Sequence, residues 1–131
     1  MPGKPYLVAL FSVLLTAFAS ISCGSDETEA DKRGVGASCS TNADCSEKGQ
    51  TCLAFKGGYC GVADCVDDTG CPAASACVKH TDGKNYCFRT CVEKPDCNAN
   101  RPVESEANCS SNPTLVSGAK NTKVCVPPSG S

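Results

Sequence analysis

Cysteine dominates the possible chemistry of this chain of 131 residues, which contains 13 of them. That content lies far above the level of ordinary globular domains. In an exported protein such cysteines form disulfides, whereas in a reducing compartment they would more often ligate a metal or carry a redox reaction. No C-x-x-C spacing occurs in the chain, so neither a thioredoxin-type redox motif nor a zinc knuckle of that spacing is expected.

Twelve of the cysteines form a threefold repeat. Each group of four opens with a C-x5-C loop rich in turn-forming residues, and Tyr59, Tyr86 or Val124 precedes its last cysteine. Recurrence of the same spacing indicates tandem structural units. The predicted units span residues 39–60, 65–87 and 91–125, within a disulfide-rich domain at 39–126.

The pairing of these cysteines can be argued from the second unit. Asp82-Gly83 is a strong hairpin signal, and a two-residue turn there would pair Val78 with Cys87 and Cys77 with Phe88. Cys77 and Cys87 would then lie on opposite faces, so each would bond to the first half of its unit. The same reasoning at Gly57-Gly58 and Ser117-Gly118 predicts the bridges Cys39–Cys52, Cys45–Cys60, Cys65–Cys77, Cys71–Cys87, Cys91–Cys109 and Cys97–Cys125.

The other titratable residues offer little chemistry. His80 is the one histidine of the chain, and we expect it on the solvated hairpin opposite Asn85 rather than in a catalytic arrangement. Asp64, Asp67 and Asp68 could be considered for calcium, but their spacing does not match a calcium loop, and turn formation explains them better. The sequence therefore predicts no catalytic residue, no metal site and no cofactor.

The N-terminus is typical of an export signal. A basic residue at Lys4 precedes an apolar run from Tyr6 to Phe18, and small residues follow up to Cys23. We expect a signal peptide at residues 1–22. Its apolar run is too short to span a bilayer, and the mature chain would meet an oxidising compartment.

Three cleavage patterns remain open. Residues 20–23 resemble a bacterial lipobox, which would place a lipid on Cys23. Residues 17–19 form an ordinary small-x-small site, and Lys32-Arg33 is a dibasic processing site. Thirteen cysteines cannot all pair, and Cys23 stands apart before an acidic, polar stretch. Lipidation of Cys23 and a flexible acidic tether at residues 23–38 explain both features, so the lipoprotein pattern is favoured.

Large apolar residues are scarce in the rest of the chain. Between Gly34 and Ser131 there are two Leu, two Phe, two Tyr and nine Val, with no Ile, Met or Trp. Burial alone would not offset the conformational entropy of folding, so disulfides must decide the fold. We expect a small disulfide-rich fold of three short β-hairpin units in tandem, as a rod or a compact stack, with little or no helix and a disordered tail at 127–131.

The run from about Val35 to Val126, with its x-x-Asp-Cys turns and Tyr-Cys closings, resembles the cysteine-rich repeats of myxobacterial lipoproteins. These repeats are similar to the Dickkopf N-terminal cysteine-rich domain. The resemblance implies a cell-envelope protein, and the Dickkopf comparison implies binding to another extracellular protein. Gly24 after the cysteine resembles lipoproteins sorted to the outer membrane.

Two functional hypotheses follow. The favoured one is a non-catalytic lipoprotein of the bacterial outer membrane that binds an extracellular protein or a glycan. The other is a secreted toxin-like or protease-inhibitor-like protein, released after Lys32-Arg33. With a net charge of −2 and no basic stripe, nucleic acid is not an expected partner. The candidate contacts are Phe55, which is either exposed at a hairpin tip or packed on disulfides, and the long insertion 98–108.

Overall fold

The computed structural model describes Gly3 and residues 34–47 and 49–129. The rest of the predicted signal segment, Cys23, the acidic stretch up to Arg33 and the last two residues of the tail lie outside this described part. Among the described residues, no helix combines the length and the apolar character that crossing a membrane requires.

Short strands and single 3₁₀ turns make up the described structure, which confirms the prediction of a small disulfide-rich β-hairpin fold with little helix. The 3₁₀ turns are Asn42–Asp44, Asp68–Gly70, Lys94–Cys97 and Val103–Ser105. The strands are β1 (Thr51–Leu53), β2 (Tyr59–Gly61), β3 (Ser75–Lys79), β4 (Asn85–Cys91), β5 (Asn108–Ser110) and β6 (Lys123–Val126).

The strands form two antiparallel sheets. β1 and β2 form a two-stranded sheet in the first unit, and the second sheet has the order β3-β4-β6-β5. β4 pairs with β3 along one side, and its end pairs with β6, where Thr90 lies opposite Val124. The second and third units therefore share one sheet, which favours the compact stack over a rod.

The register of the second hairpin differs from the prediction by one residue. Cys77 lies directly opposite Cys87, and Val78 lies opposite Tyr86. The loop contains three residues because His80 N–H donates to the carbonyl of Lys84, and Gly83 takes a positive φ of 86°. Turn types of this length add a left-handed residue before the second strand, and that residue shifts the pairing.

The described residues form six disulfides, and in every unit these join the first cysteine to the third and the second to the fourth. This is the predicted order, although the prediction that the third and fourth cysteines lie on opposite faces of the hairpin is wrong. The third and fourth cysteines are direct cross-strand partners in all three units, as Cys52 with Cys60, Cys77 with Cys87 and Cys109 with Cys125. Their side chains stand together on one face, which the C-x5-C segment covers. The Cα–Cα distances are 5.8, 5.9 and 5.9 Å for the bridges Cys39–Cys52, Cys65–Cys77 and Cys91–Cys109, and 5.4, 5.4 and 5.3 Å for Cys45–Cys60, Cys71–Cys87 and Cys97–Cys125.

Side-chain hydrogen bonds fix the C-x5-C loops. The carboxylate of Asp44 accepts hydrogen bonds from the N–H groups of Ser40 and Thr41, and Asp96 does the same for Val92 and Glu93. These bonds satisfy backbone donors at a tight turn, which confirms the interpretation of the loop residues as turn formers.

The second unit carries glycine where Asp44 and Asp96 stand in the others, and Asp67 caps its turn by accepting from Thr69 N–H. Asp68 accepts from the N–H of Cys77, as Asn42 does from Cys52 in the first unit. The carboxylates of Asp67 and Asp68 thus serve as backbone hydrogen-bond acceptors within the fold.

One hydrophobic cluster joins the first unit to the sheet of the others. Tyr59 and Phe88 are fully buried at its centre, where their ring centroids lie 5.2 Å apart. Leu53, Val78 and Val124 surround them. Both leucines, both phenylalanines and both tyrosines of the described part belong to this core or pack against it, whereas Val66, Val92, Val103 and Val116 are exposed.

The long insertion of the third unit, residues 98–108, is attached to the core through its buried residues Arg101, Ser105 and Ala107, while residues 102–104 between them are exposed. Arg101 is 8% exposed, and its guanidinium lies 5.6 Å from the ring centre of Tyr59. It donates hydrogen bonds to the carbonyls of Gly36, Lys56, Gly58 and Ser105.

The boundaries of the folded part also need correction. Val35 is fully buried, and the backbone of Gly36 and Ala37 pairs with that of Cys60. Pro127 is buried as well. Folded structure therefore begins by Gly34, inside the stretch predicted as tether, and includes the first residue of the predicted tail.

Candidate functional site

A groove of about 290 Å³ lies between the end of β1 and the hairpin of β3 and β4. It is formed where the first unit meets the second, because Ala63 pairs with Tyr86 in an isolated bridge. Its floor is apolar and its rim is charged. The groove is lined by Cys52, Leu53, Ala54, Phe55, Ala63, Asp64, Asp82, Lys84 and Tyr86.

Phe55 is partly buried at the floor of this groove. Its ring makes edge contacts with the rings of Tyr86 at 5.2 Å, Phe88 at 5.8 Å and Tyr59 at 6.2 Å between centroids. Of the two hypotheses for this residue, packing is therefore the correct one, but the packing partners are aromatic rings and not disulfides. The remaining accessible part of Phe55 lies in the groove and not at an exposed tip.

His80 lies inside the same aromatic cluster, which corrects its predicted position. The shifted register places it opposite Lys84, and Asn85 pairs with Lys79 instead. Its side chain is 17% exposed, and its ring centroid lies 5.4 Å from that of Phe55. His80 is therefore part of the packing and not a solvated hairpin residue.

Asp82 organises the hairpin tip beside the groove. Its carboxylate accepts hydrogen bonds from Lys84 N–H at 2.9 Å and from the hydroxyl of Tyr86 at 2.8 Å, and Oδ1 lies 3.3 Å from Nδ1 of His80. The N–H of Lys84, more than the other donors, holds the pKa of Asp82 below its usual range. Asp82 is thus a charged residue whose oxygens are largely used by the fold.

The neighbouring phenol is correspondingly hard to ionise. Burial, and then the hydrogen bond to Asp82 with its negative charge, raises the pKa of Tyr86 to about 12. The charge of Asp64 contributes in the same direction. Tyr86 thus presents a neutral hydroxyl and ring between two carboxylates at physiological pH.

Asp64 differs from the other aspartates of the described structure. Like most of them it is exposed, but no described residue donates a hydrogen bond to its carboxylate, and its φ is 59°. Lys84, on the same rim, forms no ion pair with a described residue. The two residues also line an adjacent groove of about 380 Å³, together with the exposed Val66.

All twelve described cysteines are bonded in pairs, so their sulfurs are not available as thiolate nucleophiles or metal ligands. The two bridges of a unit nevertheless lie close together. In the first unit the Sγ atoms of Cys39, Cys45 and Cys60 are within 4.8 Å of one another, and equivalent sets occur in the other two units.

The sequence and structure together define a class of protein: a small disulfide-rich β-hairpin module with three repeated four-cysteine units and a groove at the junction of two of them. Comparison with protein-family models, with curated proteins and with solved structures gives no match to this chain.

For several residues of the groove, no pattern in the sequence predicts that they lie there. The positions of Asp64, Lys84 and Tyr86 depend on the three-residue loop, because a two-residue turn would rotate the following strand by one position. The glycine at the third loop position could have indicated the longer turn. Arg101 lies in an insertion without a periodic pattern, and nothing in the sequence marks it as buried.

Proposed function

We propose that the chain is an exported cell-envelope lipoprotein, anchored through a lipid on Cys23, whose disulfide-rich module binds an extracellular protein or a glycan without catalysing a reaction. The observation that carries this proposal is the complete pairing of the twelve cysteines of the module. Cys23, shortly after the apolar segment, is the remaining cysteine of the sequence, and lipidation would use its thiol.

Rigidity supports a binding role. Bridges and side-chain caps hold the loops, so a partner would meet a preorganised surface and little ordering entropy would be lost on association. A groove with an apolar floor and a charged rim suits recognition of a side chain or a small group.

The titratable groups support a non-catalytic role. Most of the aspartates are used in turns, and His80 is packed among aromatic rings. General acid–base catalysis needs a positioned group that reaches the substrate. We therefore expect that His80→Ala removes no enzymatic activity. Loss of such an activity in this variant would refute the non-enzyme proposal.

The anchor can be tested by the intact mass of the natural protein. A di- or triacylated N-terminal Cys23 is the expected result, and Cys23→Ser should move the protein from the membrane fraction to the soluble fraction. A free N-terminus at Gly34 would instead identify the secreted, dibasically processed precursor. Unchanged detergent partitioning of Cys23→Ser would contradict the lipid anchor.

A further inference from the structure

We infer that the groove between the first and second units is the partner-binding site and that it takes a primary ammonium group, namely the side chain of an exposed lysine on a protein partner. This inference rests on the proposed binding function. It assigns to that function a place in the fold and a ligand chemistry.

The shape and polarity of the groove match such a side chain. Leu53, Phe55 and Ala63 provide an apolar floor, and Asp64 and Asp82 provide negative charge at the rim. Lysine combines a four-carbon apolar stem with a compact ammonium that donates up to three hydrogen bonds.

Asp64 is the acceptor that the fold leaves unused. Each of the other described aspartates, namely Asp44, Asp67, Asp68, Asp82 and Asp96, accepts a hydrogen bond from a backbone N–H. Asp64 accepts none from a described residue, although a left-handed backbone at φ 59° holds it at the rim. A carboxylate beside aromatic rings and without a donor is complementary in charge to an incoming ammonium.

Lys84 provides a test of this assignment, because its positive charge disfavours a cationic ligand. Its ammonium lines the same rim and has no ion-pair partner among the described residues. It would repel a second cation there, so its removal should strengthen binding. A groove that bound an anion or an uncharged group would not respond in this direction.

A neutral sugar is a poorer match for this groove. Its lining contains two carboxylates and one ammonium but no asparagine or glutamine side chain. The aromatic rings are largely engaged with one another, and only Phe55 is partly accessible. Binding of a glycan in place of lysine would therefore contradict the inference.

The experiment is an NMR titration of the oxidised module with Nα-acetyl-lysine N-methylamide, and with the norleucine counterpart that has the same stem without the ammonium. The lysine probe should shift the amide signals of Leu53, Phe55, Asp64 and Tyr86, and the norleucine probe should not. Equal shifts with both probes, or shifts with N-acetylglucosamine but not with lysine, would overturn the inference.

Three variants test the charges. Asp64→Asn should weaken lysine binding by roughly two- to fivefold, the range for a partly exposed ion pair. Asparagine tolerates the left-handed backbone, so this change removes charge without strain. Lys84→Met should strengthen binding by a similar factor. Glu104→Gln, an exposed position outside the groove lining, should leave the affinity unchanged. Unchanged affinity in both Asp64→Asn and Lys84→Met would refute the site even if the lysine probe binds.

The failure of this inference can be separated from failure of the proposed function. If the wild-type module reproducibly recovers a partner from envelope extract and Asp64→Asn recovers it equally well, the binding function stands and the groove assignment is wrong. If neither the wild type nor the variants bind a partner or the lysine probe, both proposals are wrong.

Discussion

The hydroxyl of Tyr59 donates a hydrogen bond to the carbonyl of Cys125, 66 residues further along the chain, at 3.1 Å. The same oxygen accepts the N–H of Arg89 at 3.1 Å. One buried side chain of the first unit therefore satisfies backbone groups in the strands of the second and third units. This relationship holds the units together more specifically than contact between apolar surfaces alone.

Removing that hydroxyl should destabilise the whole module. Tyr59→Phe leaves a buried N–H and a buried carbonyl without this partner, with an expected loss of about 1–3 kcal/mol in the free energy of unfolding. Chemical denaturation with the bridges intact measures this loss. Tyr86→Phe is the matched control, because its hydroxyl bonds to the exposed carboxylate of Asp82 and its loss should be smaller. Equal losses in the two variants would contradict the structural role of Tyr59.

The guanidinium of Arg101 should be similarly hard to replace. Arg101→Met leaves four backbone carbonyls without their donor and should reduce stability by roughly 2–4 kcal/mol. Arg101→Lys should recover part of the loss, because an ammonium has fewer donors and a different geometry. Lys123→Met, which removes one exposed bond to the carbonyl of Val92, should change stability by about 0.5 kcal/mol or less and serves as the control.

Two glycines with positive φ should respond very differently to alanine. At Gly58 a Cβ would overlap the carbonyl oxygen of Cys39 and lie 2.7 Å from its Sγ. At Gly83 nothing lies within 4 Å, so only the left-handed backbone opposes the change, at about 1–2 kcal/mol. Gly58→Ala should therefore reduce the yield of correctly bridged protein, whereas Gly83→Ala should form all six bridges with lower stability. Peptide mapping without reduction distinguishes the two outcomes.

The tyrosines of the folded module should resist ionisation. Burial raises the pKa of Tyr59, and burial with the Asp82 hydrogen bond raises that of Tyr86 to about 12, against an ordinary value of 10.0. Because the unfolded chain releases these protons first, the stability they contribute is complete below pH 10 and falls as the pH rises toward 12. An ultraviolet pH titration should show almost no phenolate at pH 10.

The Asp82→Asn variant provides the control for this titration. It removes the charge and the strong acceptor beside Tyr86, so the pKa of Tyr86 should fall while that of Tyr59 stays high. Half-ionisation of the wild-type tyrosines near pH 10 would contradict the burial of both rings.

The disulfide order was predictable because it depends on spacing. In each unit a C-x5-C loop is followed by a hairpin, so the third and fourth cysteines lie close to the two cysteines of the loop. This holds even though Cys77 and Cys87 lie on the same face and not, as predicted, on opposite faces. The groove was not predictable, because its geometry depends on the one-residue difference in the loop before Lys84.

The burial of Arg101 could not be predicted for another reason. A charged residue in a polar insertion is normally solvated, and only the arrangement of four carbonyls around it makes burial favourable. Such arrangements are formed by residues far apart in the sequence. Local patterns therefore carry no information about them.

The two connections between units offer no accessible cleavage site for a protease. β4 contains both the last cysteine of the second unit and the first of the third, and it is paired to strands on both sides. The segment between the first two units is bonded to it as well, through the carbonyl of Val62 and the N–H of Asp64. A protease needs several residues of extended, accessible chain, and neither junction offers them. In a medium that contains secreted proteases, cleavage should therefore not separate one unit from another.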